Sequence, residues 1–251
     1  MGETMRDGVI LVATGAGYVD LAVQCLASIR HSNPGVPVDL FTDLPDAPGV
    51  DGFDRVHPVP STHPRVKLEC LSKARFDRVL FLDCDTLVIA PLGDLFDLAD
   101  RFALSLAHDV RRRMELIQDG THPTPYAFPQ LNSGVMLYRN DAEMAAFFAE
   151  WKRRYEGSDG DRDQPVLKDL LWDSDLRFYV LPPEFNLRRV TMLDAWEPLD
   201  AVPTIIHSHR LLQHLRGRGA RVTTLDELRA LERIALEEEW RADGADAPWQ
   251  R

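Results

Sequence analysis

Short apolar runs alternate with segments of helical periodicity along most of the chain. Strands are predicted where the runs are rich in β-branched and aromatic residues, at 8–14, 36–41, 78–82, 102–108, 135–138, 178–181 and 204–207. Helices are predicted at 18–31, at 66–73, after 140, after 163 and at 224–240. This alternation predicts one α/β domain over residues 1–251, with a mostly parallel sheet flanked by helices.

Local signals mark the ends of several helices. Asn140 and Asp163 are predicted to be N-cap residues, and Thr224-Leu-Asp-Glu227 has the pattern of a capping box. Apolar and aromatic residues at helical spacing between 144 and 155 predict a core-packing face. Three arginines and several prolines between 111 and 130 predict a long loop.

Composition and charge narrow the function classes. Lys and Arg number 29 against 40 Asp and Glu, a net charge of −11, which disfavours a nucleic-acid binder because phosphates would be repelled. No apolar run approaches the roughly 18 residues of a transmembrane helix, and the polar start lacks the apolar core of a signal peptide. Three cysteines without a CxxC pair are typical of reduced thiols, so we expect a cytoplasmic protein; a homo-oligomer is left open.

The sequence Asp83-Cys84-Asp85 directly follows the apolar strand at 78–82. Ligands of open α/β sheets bind beyond the carboxyl ends of strands, and carboxylate oxygens suit Mg²⁺ or Mn²⁺. Two carboxylates buried together without a cation raise each other's pKa, which is costly. A solvated turn is the structural alternative, but the apolar residues on both sides disfavour it. The pattern therefore predicts a divalent-cation site that also takes substrate phosphates.

The surroundings of this pair resemble glycosyltransferase family 8, whose members, such as glycogenin and the bacterial lipooligosaccharide galactosyltransferases, have the GT-A fold. The matching segments, in order, are Lys67-Leu68, Phe76 to Val88, Leu131-Asn-Ser-Gly-Val-Met136, Asp163-Gln164, Leu181-Pro to Phe185-Asn186, and Ile205-Ile-His207. The resemblance spans roughly residues 8–210. It implies a nucleotide-diphospho-sugar transferase domain with a nucleotide-binding half (8–100), a sugar and acceptor half (101–222) and a C-terminal helix and tail (223–251).

The resemblance also implies roles for individual residues. The expected ligands of a Mn²⁺ or Mg²⁺ ion are Asp83, Asp85 and His207. The expected donor-binding residues are Ala13, Thr14, Tyr18, Lys67, Asp83, Cys84, Asp85, Asn132, Ser133, His209 and Arg210. The expected catalytic residues, facing the sugar and the acceptor, are Asn132, Asp163 and Gln164. The implied reaction moves a sugar, with retention, from a nucleotide diphosphate sugar, with uridine expected as the nucleoside, to a saccharide, protein or small-molecule acceptor.

Several of these residues also have a purely structural explanation, or an alternative. Lys67 could be a solvated helix lysine, and Tyr18 could simply pack on the first helix. Both His207 and His209 are candidate metal ligands, since residues two apart in an extended chain point to the same side; chain order favours His207. The family's phosphate-binding lysine corresponds to Gln213 here, so Arg210 or His209 is expected to replace it.

Three other functions fit parts of the pattern. A dinucleotide-binding dehydrogenase would need a third glycine where Asp20 stands. A sugar-phosphate nucleotidylyltransferase would need a basic glycine-rich loop, but residues 15–18 contain no basic residue. A catalytically inactive nucleotide-sugar-binding scaffold would retain the fold and lose metal ligands, whereas both carboxylates are present here.

Overall fold

The structure is a computed structural model that describes residues 5–60, 65–110, 119–121 and 123–243. Its strands are β1 (Asp7–Ala13), β2 (Val38–Thr42), β3 (Arg55–Pro58), β4 (Arg78–Leu82), β5 (Thr86–Val88), β6 (Leu104–His108), β7 (Leu131–Arg139), β8 (Phe178–Leu181) and β9 (Ile205–His207). Its α-helices are α1 (Ala16–Ser32), α2 (Lys67–Cys70), α3 (Ala142–Glu156), α4 (Gln164–Asp173) and α5 (Leu225–Asp243).

The main sheet has seven strands in the order β3-β2-β1-β4-β7-β6-β8. Within the described residues, β7 alone runs against the others, pairing antiparallel with both β4 and β6. The remaining pairs are parallel. The predicted α/β domain with a mostly parallel sheet is therefore confirmed.

Both faces of this sheet are buried, as a mainly parallel sheet requires. On β4, Leu80 and Leu82 point into one apolar cluster, and Val79 and Phe81 point into the other. The aromatic stripe of α3 packs in the second cluster, where Trp151 is fully buried. The predicted core-packing role of that stripe is confirmed.

A second, two-stranded sheet joins β5 to β9 in antiparallel register, with Thr86 opposite His207. The backbone of Leu187 extends this unit: its N–H donates to the Ile205 carbonyl (2.8 Å), and its own carbonyl accepts from the His207 N–H (3.0 Å). Through this small sheet, residues near the C-terminal end of the chain lie next to the segment that follows β4.

The helix caps differ in part from the sequence prediction. Asn140 was the predicted cap of α3, and this is wrong: the Asp141 carboxylate accepts from the Met144 N–H (3.0 Å), whereas Asn140 donates to the carbonyls of Ala74 and Phe76. Asp163 occupies the N-cap position of α4, but its side chain makes no capping hydrogen bond. The capping box of α5 is confirmed, since the Thr224 hydroxyl accepts from the Glu227 N–H and the Glu227 carboxylate from the Thr224 N–H, both at 3.2 Å.

Two strands, β3 and the three-residue β5, and one strand boundary were also missed. The edge strand β3 is half polar and lacks the apolar run that marks the others, and β7 begins at Leu131 rather than at 135. The first part of the segment 111–130, including the three arginines, lies outside the described residues. The proline-bearing part, residues 123–130, contains no helix or strand, so the loop predicted there is confirmed. In the part of the chain that is described, no helix has both the length and the apolar character needed to cross a membrane.

Candidate active site

Asp83, Asp85 and His207 meet at the carboxyl end of β4. Each offers a ligand atom, and these atoms lie within 4.8 Å of one another. His207 Nε2 is 3.3 Å from Asp85 Oδ1 and 3.9 Å from Asp83 Oδ2. Within the described residues this is the one cluster of three or more such side chains with metal-ligand spacing. The structure thus brings together the three residues expected to bind a cation.

Gly134 leaves the room that this cluster occupies. A Cβ added at Gly134 would lie 2.0 Å from His207 Cε1 and 2.7 Å from Asp83 Oδ2. Gly134 is held there because its carbonyl accepts from the Asp83 N–H (2.8 Å), as the antiparallel register of β7 against β4 dictates. Two carboxylates and one imidazole around this space form a donor set that fits Mn²⁺ or Mg²⁺.

A chain of hydrogen bonds orients the His207 ring. Asn132 Oδ1 accepts from the Gly134 backbone N–H (3.0 Å), which identifies it as the oxygen of that amide. Asn186 Nδ2 donates to the same oxygen (3.0 Å), so Asn186 Oδ1 faces His207 Nδ1 at 3.0 Å. Because an amide oxygen only accepts, we assign a proton to Nδ1. Nε2 then faces the carboxylates: it can donate to Asp85 when the ring is protonated and could coordinate a metal when it carries no proton.

The two carboxylates of the cluster have opposite pKa shifts. Burial is the main cause that raises the pKa of Asp83 above its usual value, against the charges of Lys67 and His207. Burial also acts on Asp85, but the charge and hydrogen bond of His207 outweigh it and hold the pKa of Asp85 well below its usual range. The charge of His207 acts on both carboxylates, and a bound cation would supply further positive charge to the pair.

Lys67 and Asp163 form a buried ion pair beside this cluster. Lys67 Nζ lies 3.1 Å from Asp163 Oδ2, 3.6 Å from Asp83 Oδ1 and 3.0 Å from Ser133 Oγ. Burial disfavours the charge of Lys67, but Asp163 and Asp83 outweigh it and raise the pKa of the lysine. Arg65 reaches the other oxygen of Asp163 at 3.3 Å. The alternative of a solvated helix lysine is excluded, because Lys67 is 8% exposed.

Asn132, Gln164 and Asp109 form a third group of side chains. Asp109 was not predicted from the sequence. Asp109 Oδ2 accepts from Asn132 Nδ2 (3.2 Å) and from Gln164 Nε2 (2.9 Å). Asp109 directly follows β6, which points in the same direction as β4. The rule that sites lie beyond the carboxyl ends of strands could therefore have identified it.

Side chains from all three groups line a cleft of about 480 Å³. Its lining residues are Arg65, Lys67, Asp83, Asp109, Ser133, Arg162, Asp163, Gln164, Arg188, His209, Arg210, Gln213, Arg216, Arg218 and Glu239. Seven arginine and lysine side chains face four carboxylates here, although the chain as a whole has a net charge of −11. The cleft is thus a local basic region suited to an anionic ligand.

The remaining predicted donor residues lie at the carboxyl end of β1 or beside it. Ala13 is buried, whereas Tyr18 on the first turn of α1 is 46% exposed. The Cys84 thiol donates to the Val12 carbonyl at 3.3 Å, and burial raises its pKa, so its side chain is unsuited to contact a donor. Thr14 follows the last residue of β1 and precedes Gly15, whose N–H donates to Asp43 Oδ1 (2.8 Å).

The C-terminal segment approaches this same region. A Cβ at Gly17 would lie 2.4 Å from Leu215 Cδ2, so the turn containing Leu215 packs against the start of α1. His209 lines the cleft but does not join the metal cluster, which separates the two histidines that the pattern left open. Arg188, which was also not predicted, lines the cleft beside them.

Comparisons with known proteins agree with this geometry. Residues 68–213 match the family model described as nucleotide-diphospho-sugar transferase. The fold is similar to that of the glycosyltransferase GlyE of Streptococcus pneumoniae (TM-score 0.60, 19% identity, covering 96% of this chain and 64% of that one). It is also similar to the galactosyltransferase LgtC, solved with donor and acceptor sugar analogs (TM-score 0.54, 17% identity, covering 80% of this chain and 86% of that one).

The bifunctional glycosyltransferase WbbM gives a TM-score of 0.52 at 18% identity, covering 81% of this chain and 45% of that one. At these identities the likeness concerns the fold, and it confirms the GT-A architecture. No curated protein sequence matches the chain. The family model covers more than half of the 251 residues, and on that ground the chain belongs to the nucleotide-diphospho-sugar transferase family.

Proposed function

We propose that this protein transfers a sugar from a nucleotide diphosphate sugar to an acceptor, with Mn²⁺ or Mg²⁺ held by Asp83, Asp85 and His207. The observation that carries the proposal is the meeting of these three side chains around Gly134, beside the buried Lys67 and within a basic cleft. When bound, the cation would supply positive charge to the diphosphate leaving group.

We assign the two halves of the chain to different parts of the substrates. Residues 8–100 would bind the nucleotide, and residues 101–222 would bind the sugar and the acceptor. Uridine is the proposed nucleoside, supported by the exposed ring of Tyr18 next to the carboxyl end of β1, where the resembling family holds uracil. Retention of anomeric configuration is proposed on the same resemblance.

Asn132, Asp163 and Gln164 would face the transferred sugar, but their surroundings suit different tasks. The Asp163 carboxylate already accepts from Ser133 and forms ion pairs with Lys67 and Arg65, so we assign it to positioning Lys67 rather than to attack on the sugar. Gln164 and Asn132 share the Asp109 carboxylate, which lies in the cleft and is suited to accept hydrogen bonds from a sugar.

Release of uridine diphosphate from a set of uridine diphosphate sugars, with and without Mn²⁺, tests the proposal. Asp85→Asn should lower turnover by roughly 100-fold or more, because it removes a metal ligand while leaving a side chain of the same shape. Asp175→Asn is the matched control, since Asp175 is exposed, does not line the cleft and precedes β8, at the opposite end of the sheet's strands from Asp85.

Two results would contradict the proposal. One is full activity of Asp85→Asn, or of the wild-type protein in excess chelator. The other is metal-dependent nucleotide-sugar binding without any turnover across acceptors and water, which would favour the inactive scaffold. Formation of a uridine diphosphate sugar from uridine triphosphate and a sugar phosphate would instead favour the nucleotidylyltransferase.

A further inference from the structure

Arg210, one of the two residues expected to replace the missing phosphate-binding lysine, is already paired. Arg210 Nη2 donates to Glu239 Oε1 on α5 at 2.8 Å, and the Arg210 side chain is 9% exposed. The ion pair with Glu239 neutralises the charge of Arg210, and burial restricts the movement of the Arg210 side chain. Gln213, at the position of the lysine, lines the cleft but carries no charge.

Arg188 is held next to the metal cluster by the backbone. Leu187 bridges β9 through its hydrogen bonds to Ile205 and His207, so the following residue leaves the strand beside His207. The Arg188 side chain lines the cleft that also contains Asp83. Its charge contributes to the lowered pKa of Asp85, which places the guanidinium within electrostatic reach of the cluster.

Among the residues that the structure describes, the hydrogen-bonding capacity of Arg188 is largely unused. Its Nη1 makes one long hydrogen bond, 3.4 Å to the His207 carbonyl. Its Nε is buried and has no hydrogen-bond partner among the residues that the structure describes, and no ion pair involves Arg188 there. A guanidinium has five N–H donors in a planar fork that matches phosphate oxygens. A charged, mostly unpaired fork beside a metal cluster is suited to bind a phosphate that also ligates the metal.

We propose that Arg188 binds the diphosphate of the nucleotide-sugar donor and takes the part that the lysine plays elsewhere in the resembling family. This inference rests on the proposed function and adds a donor-binding residue to it. Arg188 would neutralise diphosphate charge from the side of β9, and Lys67 would do so from the side of α2.

Calorimetric titration of uridine diphosphate in saturating Mn²⁺ tests the assignment. Arg188→Gln should weaken binding by roughly 10- to 100-fold, the range for a lost charge-assisted hydrogen bond. Arg188→Lys should recover part of this loss, because it keeps the charge without the fork. Arg189→Gln is the matched control: it removes the same charge from the next, exposed residue, which does not line the cleft.

The Mn²⁺ affinity of Arg188→Gln, measured without nucleotide, distinguishes diphosphate binding by Arg188 from a purely structural role. Removing a nearby cation should leave Mn²⁺ binding unchanged or stronger, whereas a misplaced β9 would weaken it and lower the melting temperature. Loss of Mn²⁺ binding in Arg188→Gln would therefore overturn the proposal, as would nucleotide binding equal to that of the wild-type protein. If the wild-type protein binds no nucleoside diphosphate in Mn²⁺, the proposed function itself fails.

Discussion

Single residues around His207 determine which of its ring nitrogens faces the carboxylates. The backbone N–H of Gly134 orients Asn132, Asn132 orients Asn186, and Asn186 accepts the proton of His207 Nδ1. Such outer hydrogen bonds usually change metal affinity by 10- to 100-fold, roughly, when they are removed. We therefore expect the metal affinity of the proposed site to depend on three residues, Gly134, Asn132 and Asn186, that lie outside the cluster of Asp83, Asp85 and His207.

At the same scale, Gly134 is expected to tolerate no side chain. Gly134→Ala would place a methyl group against His207 Cε1 and Asp83 Oδ2, so it should lower Mn²⁺ affinity and donor turnover by at least roughly 10-fold. Gly160→Ala is the control, because a Cβ there meets nothing within 4 Å. Mn²⁺ titration and a turnover assay on both variants measure the difference. Normal Mn²⁺ affinity in Gly134→Ala would mean that the ion sits elsewhere.

At the scale of elements, the site depends on one reversed strand and one small sheet. Because β7 runs antiparallel to β4, its first residues lie beside the residues that follow β4, which brings Asn132, Ser133 and Gly134 next to Asp83. The pairing of β5 with β9 places His207 opposite Thr86, one residue beyond Asp85. Helices α2 and α4 then contribute Lys67 and Gln164 at their first residues.

The ion pair between Lys67 and Asp163 links α2 to the start of α4 and is expected to stabilise the fold. Asp163→Asn should lower the free energy of unfolding at neutral pH by roughly 3 kcal/mol, because it leaves a buried lysine with only Asp83 nearby. Asp173→Asn, at the other end of α4, removes a half-exposed ion pair with Arg154 and should cost about 0–1 kcal/mol. Urea unfolding of both variants measures these differences.

The same variant has an expected pH signature. Burial opposes the charge of Asp163, but Lys67 and Arg65 outweigh burial and lower its pKa. A carboxyl whose pKa is lowered by folding stabilises the protein above its unfolded pKa, and that contribution is lost as the pH falls through the folded pKa. The difference between wild type and Asp163→Asn should therefore be largest above about pH 5 and shrink as the pH falls below about 4. A difference independent of pH would contradict the ion-pair explanation.

At the scale of the whole molecule, an acidic protein encloses a basic cleft. The net charge of −11 repels anions at long range, while the arginines and Lys67 of the cleft attract them at short range. The Debye length is about 10 Å at 0.1 M salt, so a bound diphosphate interacts mainly with the cleft. We therefore expect the local attraction to decide the affinity of the donor.

Salt should accordingly weaken binding of uridine diphosphate. The dissociation constant, measured in saturating Mn²⁺, should rise as salt increases from about 20 to about 300 mM, because screening reduces the attraction of the cleft cations. Arg188→Gln should show a shallower salt dependence, since it has one cation fewer in the cleft. Tighter binding at high salt would show instead that repulsion by the overall negative charge governs the complex.

The sequence by itself determined the elements and the acidic pair. Period-two and period-3.6 patterns report which face of each segment is buried, so the alternation of strands and helices, the core stripe of α3 and the capping box of α5 could all be predicted. Asp83 and Asp85 were recognisable because an apolar strand immediately precedes them. Each of these features is formed by residues that are close together in the sequence, so the sequence pattern alone is enough to identify it. The half-polar edge strand β3 has no such pattern, and β5 is only three residues long; both were missed.

Only the tertiary structure decided how distant segments meet. The choice between His207 and His209, the position of Asp109 and the nearly unpaired guanidinium of Arg188 follow from strand pairings that join segments far apart in the chain. The error at Asn140 has the same origin: Asn140 and Asp141 can both cap a helix, and carbonyls of the segment before β4 engage Asn140 instead. The chemistry of a polar side chain allows several roles. Which role it has depends on the hydrogen-bond partners that the tertiary structure places next to it.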